Sequence, residues 1–332
     1  MKKLINLLIL LLLVLFNACT NPAEKEDISG PYLGQELPDT TPRIFAPGII
    51  STEMYERDLA VSPDGKEIYF SVLSRNRGKN KSAIVCVKQI NGAWANPEVA
   101  PFSGFYSEGE PHIQPDGQKL FFVSFRSLKE GEENKYRNNI WYLSKTESGW
   151  SDPKPVGEPI NGSGQVFYPS ITKSGTMYFT RRAEDDSEQI YRSKLVDGKY
   201  TEPELLPEQI NNGSSKFNTF ISPDEDFLIV PDYRENEGCG STDYYVSFKD
   251  DNDNWSELIN LGCEINSPSW DFSPSLSPDG KYFFYQREDW TINIEEVNLN
   301  YQDLRDIHNG GGDIYWVDAS VIKDLNPFKE EE

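Results

Sequence analysis

One turn is written five times along this chain. "VSPDG" (Val61–Gly65), "IQPDG" (Ile113–Gly117), "ITKSG" (Ile171–Gly175), "ISPDE" (Ile221–Glu225) and "LSPDG" (Leu276–Gly280) recur every 50 to 58 residues or so. Proline at the second turn position presets φ, aspartate tolerates the third, and glycine at the end accepts a left-handed backbone without steric cost. Each turn runs into a short apolar segment: "IYFSV", "LFFVSF", "MYFT", "FLIV" and "YFFY". Segments this continuous suit strands covered on both faces. A repeat of about 50 residues with strand content points to the blades of a propeller.

The remaining strands of the unit are legible too. A third strand is expected at "AIVCV" (Ala83–Val87), "NIWYL" (Asn139–Leu143), "QIYRS" (Gln189–Ser193), "DYYVS" (Asp243–Ser247) and "DIYWV" (Asp313–Val317). A fourth begins at Trp94, Trp150, Tyr200 and Trp255, with Pro97, Pro153 and Pro203 three places on in the first three. Proline fits an outer edge, where a missing N–H breaks no ladder. The last unit lacks a fourth strand of its own, and "RIFAPGIIS" (Arg43–Ser51), ahead of the first turn, is expected to supply it and close the ring. The reading is an all-β, single β-propeller of five four-stranded blades. A sixth blade could sit only in Glu288–Gly312, which lacks the turn signature.

The repeated "SPDG", the aromatic strand after it, the arginine that ends that strand and the "DIYWV" strand resemble the TolB-like, WD-like propeller repeats of bacterial envelope proteins. The resemblance covers about residues 42–328. It implies fold more than function, because that family includes scaffolds, peptide-binding proteins and glycan-active enzymes.

The N-terminus carries Lys2 and Lys3, an apolar run from Leu4 to Phe16, and Ala18 directly before Cys19. That run is short for a membrane span and suits a secretory signal. The segment resembles a bacterial lipoprotein signal, which implies cleavage after residue 18, lipidation of Cys19 and attachment to a membrane. Thr20 after the cysteine implies the outer membrane. Residues 19–41, rich in Pro, Gly and acids, read as a flexible tether. Residues 42–328 are the propeller and 329–332 an acidic tail. The formal net charge of −22 disfavours nucleic acid as a partner.

The loops between second and third strands and the linkers between blades share one face, where the repeats diverge and binding residues are expected. Seven residues before each turn-ending position stand Asp58, Glu110, Tyr168, Asn218 and Ser273; nine before stand Glu56, Glu108, Val166, Lys216 and Asp271. Alternation places both columns on one side of the inner strand near its start, bordering the channel as an acidic mouth. The candidate binding residues are Glu56, Asp58, Glu108, Glu110, His112, Tyr168, Asn218, Asp271 and two tryptophans outside the repeat positions, Trp270 and Trp290. Exposed tryptophan can stack on a sugar or anchor a peptide. Arg75, Arg126, Arg182, Arg234 and Arg287 each end a second strand, a recurrence that suits structural ion pairs.

Two histidines, His112 and His308, lack paired spacing, and "DDNDN" (Asp250–Asn254) reads as a hairpin turn and not a calcium loop. No metal or cofactor is expected. Beyond Cys19, a disulfide between Cys239 and Cys263 is admissible, since both fall in loops on the same face of one blade.

The function expected from these features is non-catalytic: a lipid-anchored propeller of the outer membrane that binds an envelope protein or a glycan through its loop face. The alternative is a glycan-active enzyme, hydrolase or lyase, working through channel carboxylates such as Glu56, Glu110 and Asp271. A structural envelope assembly protein is the third reading.

Overall fold

Alternate side chains of each second strand point into opposite seams, and this is what holds the molecule together. Ile68 and Phe70 pack toward the last blade, while Tyr69 between them packs toward the second. Tyr282 and Phe284 share the first of these seams, and Phe283 and Tyr285 face the fourth blade. Five apolar clusters result, one at each seam between neighbouring blades. Burying one such aromatic side chain contributes about 2 kcal/mol, so strands apolar on both faces are stable only between two other sheets.

The computed structural model describes residues 28–74, 81–129, 131, 138–161, 164–183, 186–212, 216–234, 238–288 and 311–329. Its architecture is a five-bladed β-propeller. Inner, second and third strands of the blades are Glu56–Val61, Glu67–Ser74 and Lys81–Ile90; Glu108–Ile113, Lys119–Ser124 and Asn139–Thr146; Gln165–Ile171, Met177–Arg182 and Glu188–Ser193; Phe220–Ile221, Phe227–Asp232 and Asp243–Phe248; Asp271–Leu276, Tyr282–Glu288 and Gly312–Asp318. The ladders between these strands are antiparallel.

The outer strands depart from the expected form. Ala93–Trp94 and Gly149–Trp150 turn back on the end of the third strand, and the ladder resumes beyond the proline at Glu98–Val99 and Lys154–Pro155. The break falls at Pro97 and Pro153, which have no N–H to offer.

The turns behave as their residues dictate. Gly65, Gly117, Gly175 and Gly280 all have positive φ, and their amides close on Ser62, Gln114, Thr172 and Ser277 at 2.7–3.0 Å. Glu225 takes the same position with φ 62°. Its carboxylate accepts the Tyr178 hydroxyl at 2.7 Å and pairs with Lys249 at 3.3 Å, which offsets the backbone cost.

The ring closes as the sequence reading expects. Arg43–Ile44 pairs with Tyr315 and Trp316, and Phe45 continues the contact through its amide to the Ile314 carbonyl at 2.8 Å. Only those residues of 43–51 are paired; the rest forms a turn whose Ser51 bonds to Ile314 in both directions at 3.2 Å. A correction concerns residues 28–41, expected within the tether. They are docked at the seam of blades five and one: Leu33 is buried, and Tyr32 packs on Tyr282 and Trp316 at 5.3 and 5.5 Å. Residues 19–27, Cys19 included, lie outside the described residues, as do Arg75, Trp290 and His308.

Candidate functional site: the axial column

Every blade bends its inner strand at the same place. Asp58, Glu110, Tyr168, Asn218 and Ser273 have φ of 57°, 57°, 52°, 49° and 64°. The strand register shifts across this residue in blades one, two, three and five. A left-handed non-glycine residue costs about 1 kcal/mol. The left-handed residue recurs in all five blades, four of them with a bulge, and re-aims one side chain per blade, a regular use of β-bulges.

The five re-aimed residues meet. Ser273 donates its hydroxyl to Asp58, and Asn218 donates to Ser273 at 3.4 Å. The Tyr168 amide donates to Glu110 at 2.6 Å, and its hydroxyl donates to the Pro274 carbonyl at 2.9 Å. The Glu110 amide in turn reaches Asp58 at 3.3 Å and Ser71 Oγ at 3.0 Å. Arg57 joins the two acids, 2.9 Å from Asp58 and 3.4 Å from Glu110, with its guanidinium 5.0 Å over the Phe272 ring. The sequence reading missed Arg57. Its signal was available: the equivalent positions in the other blades are Gly109, Phe167, Phe217 and Phe272, so the cation is unique to blade one.

The two acids differ in their surroundings. Asp58 is 2% exposed and held by three donors, whereas the Glu110 side chain is 14% exposed. Burial, reinforced by the Asp58 charge and opposed by Arg57, pushes Glu110 up to about 7. Near neutrality Glu110 is therefore poised to give and take a proton. His112, two residues on, accepts the Ile171 amide at 3.0 Å through Nε2, and burial pushes it down to about 4. It is neutral at pH 7, with its proton on Nδ1.

The other column is separate from this cluster. Glu56, Glu108 and Asp271 each accept an amide from four residues earlier, Thr52 at 3.4 Å, Gly104 at 2.9 Å and Ser267 at 2.6 Å. They fasten the linker to its own blade. Glu108 also binds Arg126 at 3.2 Å, and in blade four the polarity is exchanged, with Lys216 meeting Asp232 and Arg234 reaching Asp232 at 2.7 Å. The expectation that both columns form one acidic mouth is corrected accordingly, because the bulge at the seven-back position turns that side chain away from its neighbour two residues earlier. Burial still pushes Glu56 and Asp271 up to about 7.

The axis below is lined by all five blades. A cavity of about 50 Å³ lies under Glu110 and Tyr168, bordered by His112, Phe220, Pro274 and Ser275. A second, of about 110 Å³, opens among Pro63, Pro115, Lys173, Pro223 and Pro278, the second positions of the five turns. Val61, His112, Ile113, Phe220 and Leu276 border both.

On the face where the inner strands begin, Trp270 is 42% exposed, and Tyr106, Phe125 and Tyr233 are exposed as well. Cys239 and Cys263 are joined by a disulfide, Cα to Cα 5.4 Å, that ties the second loop of blade four to the linker into blade five. Asp250–Asn254 forms a hairpin turn, with Asp250 accepting the amides of Asn252 and Asn254 at 2.9 Å. Among the described residues no group of three His, Cys, Asp or Glu side chains is placed to hold a metal ion.

No protein-family model and no curated protein matches the chain. Solved structures do. TolB from Acinetobacter baumannii is 18% identical over 71% of this chain and 49% of its own, with a TM-score of 0.44, so the chain spans about half of it. The arabinanase Arb43A of Bacillus subtilis is 14% identical over 80% of this chain and 94% of its own, at 0.48. Zg3597, a family 117 glycoside hydrolase of Zobellia galactanivorans, is 11% identical over 87% and 92%, also at 0.48. Glycoside hydrolases recur among these neighbours, against the expectation of a non-catalytic module; at these identities the likeness shows the fold alone, and the glycan-active alternative rests on the chain's own residues. What the chain shares with all three is the fold, a β-propeller with TolB among its neighbours at low identity.

Proposed function

We propose that the protein is a glycan-active hydrolase whose acid is Glu110. The observation that carries this reading is the pairing at the axis: a partly exposed carboxyl poised near neutrality beside a buried carboxylate, the two joined by Arg57. Two carboxyl groups whose environments set them apart are what glycosidic hydrolysis requires. Glu110 protonates the leaving oxygen as the bond to the anomeric carbon breaks, and a water then bonds to that carbon and gives its proton back to Glu110. Asp58, held in place by Arg57, Ser273 and the Glu110 amide, is the second carboxyl and faces the oxocarbenium character that develops. Arg57 orders the pair, and exposed aromatic rings on the loop face, Trp270 among them, offer planes for sugar stacking.

The leader segment supports an envelope address within this proposal: a lipid on Cys19 would carry the enzyme at the outer membrane, with a glycan as its partner. Metabolic labelling with a radiolabelled fatty acid tests the address, and loss of label in Cys19→Ala is the expected result.

The activity is tested by incubating the chain from Thr20 onward with arabinan, xylan, agar and envelope polysaccharides, with released oligosaccharides read by mass spectrometry. Release by the native chain and a loss of at least about 100-fold in Glu110→Gln are expected. No release from any of them, or release undiminished in Glu110→Gln, overturns the assignment.

A further inference from the structure

The seam between blades five and one has a cover, and among the described residues the same seam one blade on has no such segment. At the first, the chain's own segment Ile28–Gly34 lies against the outer hairpin of blade one. The Trp94 amide donates to the Ile28 carbonyl at 2.8 Å, Trp94 Nε1 donates to the Gly30 carbonyl at 2.8 Å, and Ser29 bridges to Ala93. Tyr32 fills the seam against Tyr282, Phe284 and Trp316.

Blade two repeats the receiving parts except one, since the Trp150 indole N–H donates to the Tyr69 hydroxyl at 2.8 Å where that of Trp94 donates to Gly30. Trp150 holds the hairpin position of Trp94, and Tyr69 that of Phe284, each of the latter lying four residues after its turn-ending glycine. Gly149–Trp150 is the last strand of its sheet on that side. Its amide geometry is alike too: Ala95 and Ser151, one residue beyond each tryptophan, both donate back to the third strand at 2.9 Å, which turns the tryptophan amides outward.

Where blade five crowds its seam with Trp316 and Phe45, blade one has Cys86 opposite Tyr69 and Ala100 bonded to Ile84. The smaller residues go with an open groove of about 430 Å³ bordered by Tyr69, Phe102, Phe105, Trp150 and Asp152. Phe105 stands 82% exposed on its rim. That volume is in the range of formed ligand sites.

We infer that the groove between blades one and two is a docking site for an extended peptide segment of another polypeptide, laid on the Gly149–Trp150 edge as Ile28–Gly34 is laid on Ala93–Trp94. The occupant is a short run with glycine or proline for an extended course and one aromatic or large apolar side chain for the groove. Its backbone carbonyl takes the Trp150 amide, and its aromatic side chain packs against Tyr69 and Phe105. This is strand addition to an exposed edge, with a pocket giving side-chain selectivity. The site lies on the outer side of the ring and is independent of the axial carboxyls.

The probe is a synthetic peptide with the sequence of residues 28–37, ISGPYLGQEL, and a scrambled control, titrated into the chain from Thr20 onward. Hydrogen exchange followed by mass spectrometry reads the site. The expected result is saturable one-to-one binding, slowed exchange of the segment containing Trp150, and a loss of affinity of at least 5-fold in both Phe105→Ser and Trp150→Ala. Phe105→Ser is the variant that leaves the fold intact, since its ring is exposed. Four results overturn the inference: no saturation at millimolar peptide, equal binding of the scrambled peptide, affinity unchanged in Phe105→Ser, or protection confined to the Trp94 segment, which would mean exchange with the chain's own cover. Protection of the Trp150 segment by an oligosaccharide and not by the peptide also overturns it, in favour of a second glycan site.

Discussion

Ser273 donates its hydroxyl to Asp58 across 215 residues of sequence, joining the last blade to the first at the axis. The bond belongs to the column of left-handed residues, so it exists only when the ring is closed. The closure at the rim, Phe45 against Trp316, and the closure at the axis are thus two ends of one seam.

That seam gives a stability prediction. Phe45 is fully buried and its ring lies 5.0 Å from both Phe284 and Trp316. Phe45→Ala should cost about 3–5 kcal/mol and lower the melting temperature by several degrees or more in calorimetry. A melting curve within one degree of native would show that the ring does not depend on this strand.

The buried carboxyls predict an unusual pH dependence. Glu56, Glu110 and Asp271 are each pushed up to about 7, mainly by burial, and the second carboxylate oxygen of Asp271 is buried with no hydrogen-bond partner among the described residues. In the unfolded chain such groups titrate near about 4. Between those values the folded state holds protons that the unfolded state has released, so their contribution is fully present below about pH 4 and is lost as pH rises through 7. Melting temperatures should fall from pH 5 to pH 8, and Glu110→Gln should flatten the slope by up to about 1.4 kcal/mol per pH unit. A slope unchanged in Glu110→Gln would contradict the assignment.

If Glu110 is the acid, its proton also sets the rate. The alkaline limb of kcat/KM should fall near pH 7, and Glu110→Asp should move that limb while Glu56→Gln leaves it in place. An alkaline limb that follows Glu56 instead would relocate the chemistry to the linker.

The disulfide ties residues 24 apart in sequence. Removing it through Cys239→Ser with Cys263→Ser should cost about 3 kcal/mol by loop closure. Reductant should lower the melting temperature of the native chain and leave the double variant unchanged.

Much of this protein was determined by its sequence alone. The "SPDG" turns carry their conformation in Pro63, Asp64 and Gly65, and runs such as "YFFY" announce burial on both faces, so blade number and strand order followed from local chemistry. The column Asp58, Glu110, Tyr168, Asn218 and Ser273 was also countable from the turns.

What each column does was decided in three dimensions. Glu56 and Asp58 are two residues apart and alternation puts them on one side, yet a bulge with φ 57° at Asp58 sends one to the axis and leaves the other fastening Thr52. A bulge depends on pairing between strands, which a linear pattern does not contain. Arg57 became part of the site because Glu110 of the next blade, 53 residues on, came within 3.4 Å. The docking of Tyr32 against Trp316 was equally hidden, since a segment rich in Gly, Pro and acids reads as a tether until the seam that receives it has formed.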